Sequence, residues 1–298
     1  ILVLVSVLHA RSLRTSLLDY QQAIESGIGR YGQPVPPAVA RASEADLTRR
    51  MTFPDALDEV WEVTGTWGTV ALLIAVSIQT GEEFDNGTAR TVLIRGVGRG
   101  LWPISKVLAY LIIAGLVWLL LALLQIPIGF WTQSQTGIQV DRAAVQVVNW
   151  LAFAGRLLRA WVATVPYIGF ATGFALLARG AGPALALGLG LRFVEIVSDG
   201  FGPFLVSMKL AGVEAFSTLY RLWAPMHAMS FDWNTKVWTT WGGSIWSEAL
   251  VSLPGGAPEK LPGPLHSNPI LAGGILLLWS VVWIAVGAWS LRRRDITS

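Results

Sequence analysis

Apolar and polar positions alternate in long blocks along much of this chain. Apolar runs occupy 70–78 and 107–128, and a final one fills 269–291. About 20 apolar residues are needed to span a bilayer, so these blocks predict membrane-crossing helices. The predicted order is the end of a first span at 1–8, a polar helical region at 9–64, a second span at 65–80 and a charged segment at 81–105. A third span follows at 106–131, then an outer loop with an interfacial helix at 132–159 and a fourth span at 160–178. The fifth span covers 184–203, a tryptophan-rich stretch covers 204–268, the sixth span covers 269–291, and 292–298 is a polar tail.

Local breakers refine these bounds. Within 9–64, the run Gly32-Gln33-Pro34-Val35-Pro36-Pro37 separates two amphipathic helices, at 11–28 and 42–63. Gln125 and Pro127 are expected to kink or fray the far end of the third span. Arg156 and Arg159 place 150–159 on the membrane border. Arg179-Gly180-Ala181-Gly182-Pro183 predicts a tight turn, and Ser198-Asp199-Gly200-Phe201-Gly202-Pro203 predicts the end of the fifth span. The tryptophans of 204–268 accompany no full-length apolar run, which predicts re-entrant or interfacial helices before the last span. The fold class is therefore all-α, a polytopic helical membrane protein of about six spans. The first is incomplete here, and an extracytoplasmic domain separates spans one and two.

Composition agrees. Of the 298 residues 53% are hydrophobic and 14% charged, whereas a soluble domain carries about 25% charged residues. Cysteine is absent, which excludes disulfides, thiolate metal sites and cysteine nucleophiles. A net charge of +3 without a basic block gives no reason to expect nucleic acid. No metal cluster, cofactor motif or phosphate-binding loop is present in the sequence, and the histidines His9, His227 and His266 are scattered without ligand spacing.

Charge distribution sets the orientation. Arg90, Arg95, Arg99 and Lys106 follow the second span, Arg179 follows the fourth, and Arg292, Arg293 and Arg294 follow the sixth. Alternating spans put all three groups on one side, which the positive-inside rule makes cytoplasmic. A charged pair falls deep inside the fifth span. Arg192 and Glu195 are spaced i, i+3 on one helix face, with Arg192 about 12 Å into the fifth span. An unpaired charge there costs about 2.5–3.5 kcal/mol on insertion scales. The pair is either self-neutralised against neighbouring helices or part of a polar translocation path.

The charged segment carries the most specific pattern. Glu82 and Glu83 stand at the membrane exit, Gly87-Thr88 reads as a turn opening a short helix, and Arg90, Val92, Leu93, Val97 and Arg99 give that helix mixed faces, with Arg95 or Arg99 as a basic residue before Lys106 opens the next span. An acidic pair, Gly-Thr, a short amphipathic helix, a basic residue and a span-opening lysine resemble the coupling segment of ABC-type exporter permeases. The ending Arg292-Arg293-Arg294-Asp295 resembles the tail of the same family. The resemblance implies a transport subunit, not an enzyme, in the plasma (inner) membrane with a cytoplasmic C-terminus. It implies a separate cytoplasmic ATP-binding subunit, docked through Glu82, Glu83, Gly87, Thr88, Arg90, Val92, Leu93, Arg95, Arg99 and Lys106, and a second permease copy or a similar permease in the bilayer. Arg192 and Glu195 are then candidates for the path. The competing expectation is a non-transporting structural subunit of a larger membrane complex. An intramembrane metalloprotease built on Glu-Glu-x-x-x-Arg is excluded, because Gly87 stands where that motif needs arginine.

Overall fold

A computed structural model describes residues 2–29, 32, 34–51, 64–95, 98, 100–136, 147–241, 261 and 263–293. Among them the chain is helical, with one isolated bridge between Ile28 and Pro34. We number the helices α1 (Leu2–Ser26), α2 (Pro37–Met51), α3 (Thr69–Asp85), α4 (Thr88–Ile94), α5 (Leu101–Thr136), α6 (Val147–Val162), α7 (Val165–Ala178), α8 (Ala181–Leu210), α9 (Glu214–Ala228), α10 (Phe231–Thr239) and α11 (Pro269–Arg293). A π-helical turn, Thr64–Gly68, leads into α3. Among the described residues four stretches are long and apolar enough to cross a membrane: Leu101–Trp131, Trp150–Ala178, Ala181–Leu210 and Pro269–Arg293. That is the pattern of a multi-pass helical membrane protein.

The chain divides into two compact units, Ile1–Gly68 with Gly115–Leu157, and Thr69–Ala114 with Leu158–Ser298. In the first, α1 and α2 form an antiparallel hairpin. Leu17, Leu47 and Met51 fill its core with Leu13 and Tyr20, and Gln21 donates to Glu44 across it at 3.2 Å. The hairpin turns at Gly27 and Gly32, both at positive φ. Helix α1 is continuous from Leu2 to Ser26, so the apolar residues 2–8 are its first two turns and not a separate element. Of the predicted second amphipathic helix, 42–51 is helical within α2, and 52–63 lie outside the described residues.

In the second unit α7 is the central helix. Ten of its fourteen residues are buried, as expected for a helix enclosed on all sides. Small residues let α11 approach it closely. A Cβ at Gly173 would lie 2.7 Å from the Trp283 carbonyl oxygen, and one at Gly287 would lie 2.6 Å from Leu176. Phe170, Phe174 and Trp283 pack as an aromatic group beside this contact.

Helix α8 is amphipathic with its polar side inward. Arg192 and Glu195 are buried and Asp199 half-buried on one face, while Phe193 (68% exposed), Val194 and Val197 lie open on the other. Helices α5 and α11 likewise expose Leu116, Leu120, Leu277 and Leu278. Apolar residues outward and charges inward suit a hydrocarbon solvent.

Two predicted breaks are not breaks. Helix α8 runs unbroken through Gly200, Gly202 and Pro203 to Leu210. A proline inside an apolar helix is tolerated where neighbouring groups satisfy the freed backbone. Helix α5 likewise continues through Pro127 to Thr136, about 54 Å in all and longer than the hydrocarbon core. Residues 150–159 belong to α6, which joins α7 through the short turn at Ala163–Thr164. The tight turn predicted after the fourth span is present, with Arg179 in the left-handed region at φ 53.

Candidate functional site

Two charged constellations are built in the second unit. The first lies at the end of α3. Helix α3 extends to Asp85, so Glu82 and Glu83 occupy its last turns and not a loop. The reason is Gly81. It is buried against the start of α8, where a Cβ would fall 2.3 Å from Ala181 backbone atoms, so the glycine serves close packing and not a turn. The turn comes at Gly87, whose φ of 69 is strained for any residue with a Cβ. It is followed by α4 from Thr88, where the Thr91 hydroxyl donates to the Gly87 carbonyl at 3.3 Å.

Helix α4 has two unlike faces. Ala89 is fully buried, and Val92 and Leu93 pack with Phe84 against Trp102, Leu176 and Leu291. The opposite face exposes Arg90, Thr91, Ile94 and Arg95, with Ile94 70% exposed. Val92 and Leu93, expected to fill a partner's groove, are thus spent on the protein's own core, and the outward surface is Arg90, Ile94 and Arg95. Glu83 pairs with Lys106 at the start of α5, and Lys106 sits over the Trp102 ring at 5.6 Å. Glu82 is exposed. Val97 and Arg99 lie outside the described residues. This cluster also gathers the three basic segments. The end of α7 before Arg179, the start of α5 and the end of α11 meet here, with the Arg292 guanidinium beside Gly100.

The second constellation joins α8 to α10. Arg192 donates from Nη1 to Asp232 Oδ1 at 2.6 Å and to Glu195 Oε2 at 3.2 Å, and all three side chains are buried. The Tyr167 hydroxyl donates to Glu195 Oε2 at 3.3 Å. Glu195 Oε1 accepts from the backbone N–H groups of Phe231 and Asp232, at 2.8 and 3.1 Å, so a carboxylate from α8 caps the first turn of α10. Ser230 completes the cap, its Oγ accepting from Trp233 N–H. Lys236 bridges Asp232 and Asp199 at 2.9 and 2.5 Å. Two cations and three carboxylates therefore share one knot, buried at Arg192, Glu195 and Asp232 and half-exposed at Lys236 and Asp199. Burial opposes the charge of both Asp232 and Lys236, yet the Asp232 carboxyl is held below its ordinary range by Lys236 and Arg192, and Lys236 is held above its own by Asp232 and Asp199.

One turn further along α8, the Trp223 indole donates to Ser198 Oγ at 2.8 Å, and Ser198 Oγ lies 3.0 Å from His227 Nδ1. The Ser198 hydroxyl has two lone pairs and one proton, so it can accept from the indole and still either donate to Nδ1 or accept from it. Burial, partly offset by Asp199 and Asp232, lowers the His227 pKa to about 4. His227 is a buried side chain stacked under Trp223 at 4.5 Å.

The i, i+3 spacing of Arg192 and Glu195 pointed to their contact. It could not point to Asp232, Tyr167 or Lys236, which tertiary folding brings in. Among the described residues of the tryptophan-rich region, two short helices, α9 and α10, precede α11. Among the described residues no group of histidines and carboxylates is arranged to hold a metal ion. No protein-family model, curated protein or solved structure matches this chain.

Proposed function

We propose that this chain is the permease subunit of an ATP-driven ABC-type exporter in the plasma (inner) membrane, with its C-terminus cytoplasmic and its ATPase on a separate polypeptide. One observation carries the proposal. A short helix between two apolar helices fixes one face in the protein's own core and offers arginines flanking an exposed isoleucine on the other. An exposed Ile between two arginines suits a groove with an apolar floor and an acidic rim. Rigid anchoring through Ala89, Val92 and Leu93 would carry a push on α4 into α3 and α5, which is the task of a coupling element. Convergence of the three basic segments on the same cluster supports a cytoplasmic placement of this end.

Arg90, Ile94 and Arg95 are then the docking residues. Glu83 and Lys106 fix the helix ends, and Gly87 and Thr88 set the angle of α4. A second permease copy, or a similar permease, would complete the pathway. A photo-crosslinker at Ile94 tests the contact. Crosslinks to a protein with a phosphate-binding loop that change on adding ATP are expected, and crosslinks only to lipid or to other membrane subunits would refute it.

The knot favours one element of the structural-subunit reading. Arg192 and Glu195 are buried and fix α10 to α8, so in this conformation they act as a fastening and not as an open lining. ATP-driven transport by reconstituted vesicles separates the two readings, since a scaffold supports none.

A further inference from the structure

Between the end of α3 and the start of α5 lies a cavity of about 370 Å³ with walls of two kinds. Glu82, Glu83, Asn86 and Lys106 form its polar end, and Tyr110 and Ile113 its apolar end. From Lys106 to Ile113 is seven residues of α5, about 10 Å along the helix. Ile113 is 51% exposed and lies on the stripe with Leu116 and Leu120 that faces hydrocarbon, so the apolar end opens towards lipid tails. Lys106 is the cavity's cation and is already paired with Glu83. Glu82 is exposed and has no ion partner among the described residues, which leaves the lining with a net formal charge of −1.

We propose that this cavity binds the headgroup of a zwitterionic phospholipid bearing a primary amine. The ammonium donates to the Glu82 carboxylate and the Asn86 side-chain oxygen, the phosphate meets Lys106, and the glycerol and first acyl carbons lie along Tyr110 and Ile113. An anionic headgroup is disfavoured by the net negative lining. A quaternary ammonium carries the charge but has no N–H to donate to Glu82. The volume is in the range of small-ligand sites. The site needs only a membrane setting, and it holds whether or not α4 docks an ATPase.

Native mass spectrometry of the full chain, released from micelles containing equal amounts of phosphatidylethanolamine, phosphatidylcholine and phosphatidylglycerol, tests it. Phosphatidylethanolamine is expected to be retained at least about fivefold over the other two, the ratio equivalent to one exposed charge pair. Glu82→Gln and Ile113→Trp each remove that preference, the first by deleting the charge and the second by filling the cavity. Both positions are exposed, so unchanged melting temperatures will show that the fold survives. Equal retention of the three lipids, or a preference that survives both substitutions, overturns the proposal. So does displacement of the lipid by an equal concentration of soluble phosphoethanolamine, because the site would then read a free ligand.

Discussion

The two charged constellations use similar side chains to opposite ends. At the α8–α10 knot the charges face one another: Arg192, Glu195 and Asp232 are buried, and Lys236 and Asp199 close the network at its half-exposed edge. At α4 the apolar side chains go inward, and Arg90 and Arg95 are left on the surface. The first arrangement makes stability depend on charge. The second separates stability from charge, so a surface arginine is free to serve recognition. Substitutions should therefore act on stability at the knot and on partners at α4.

The largest effect is expected at Arg192. Arg192→Met leaves Glu195 and Asp232 buried without their shared cation, which should cost about 3–5 kcal/mol. Tryptophan-detected thermal unfolding in detergent will read it as a large fall in melting temperature. A fall no greater than that of a surface substitution would mean the knot is solvated.

Next is the pH dependence of His227. Its folded pKa, about 4, lies below the ordinary value of 6.5. Its contribution to stability is therefore complete above pH 6.5 and is lost as pH falls towards 4, by about 3 kcal/mol in all. Asp199, Asp232 and Lys236 are the charges that act on it, the carboxylates reducing the shift and Lys236 adding to it. His227→Phe should flatten unfolding curves measured between pH 7 and 4. Equal acid sensitivity in the variant would assign the effect to the carboxylates instead.

A smaller loss, about 1–3 kcal/mol, is expected for Gly81→Ala, whose Cβ meets the backbone of α8 at Ala181. The same substitution at Gly182, which has open space around it, is the control in the same melting assay. If the two behave alike, Gly81 is not a packing glycine. The smallest effect on stability, within about 0.5 kcal/mol, belongs to Arg95→Glu.

These contrasts also show what could be read from the chain alone. The spans of α5 and α11 were legible because uniform apolar runs of that length have few alternatives. The Arg192–Glu195 contact followed from helical spacing. Asp232 was not legible, because 40 positions separate it from Arg192 and no local pattern links them. Glycine misled at Gly200 and Gly202, which look like the end of a span yet are helical here, whereas Gly81, at the head of the charged segment, lets two helices touch. The short helix after Gly87 was read correctly, but which of its faces was outward depended on Trp102, Leu176 and Leu291, residues remote in sequence.

The central claim is that the arginine face of α4 docks an ATPase, and affinity purification from native membranes in mild detergent tests it most directly, wild type beside Arg95→Glu. The account predicts a stoichiometric subunit with a phosphate-binding loop on the wild type, at least tenfold depleted on the variant, with the two melting temperatures equal. A wild-type chain that brings down no such subunit, or an Arg95→Glu chain that retains it in full, would contradict the account.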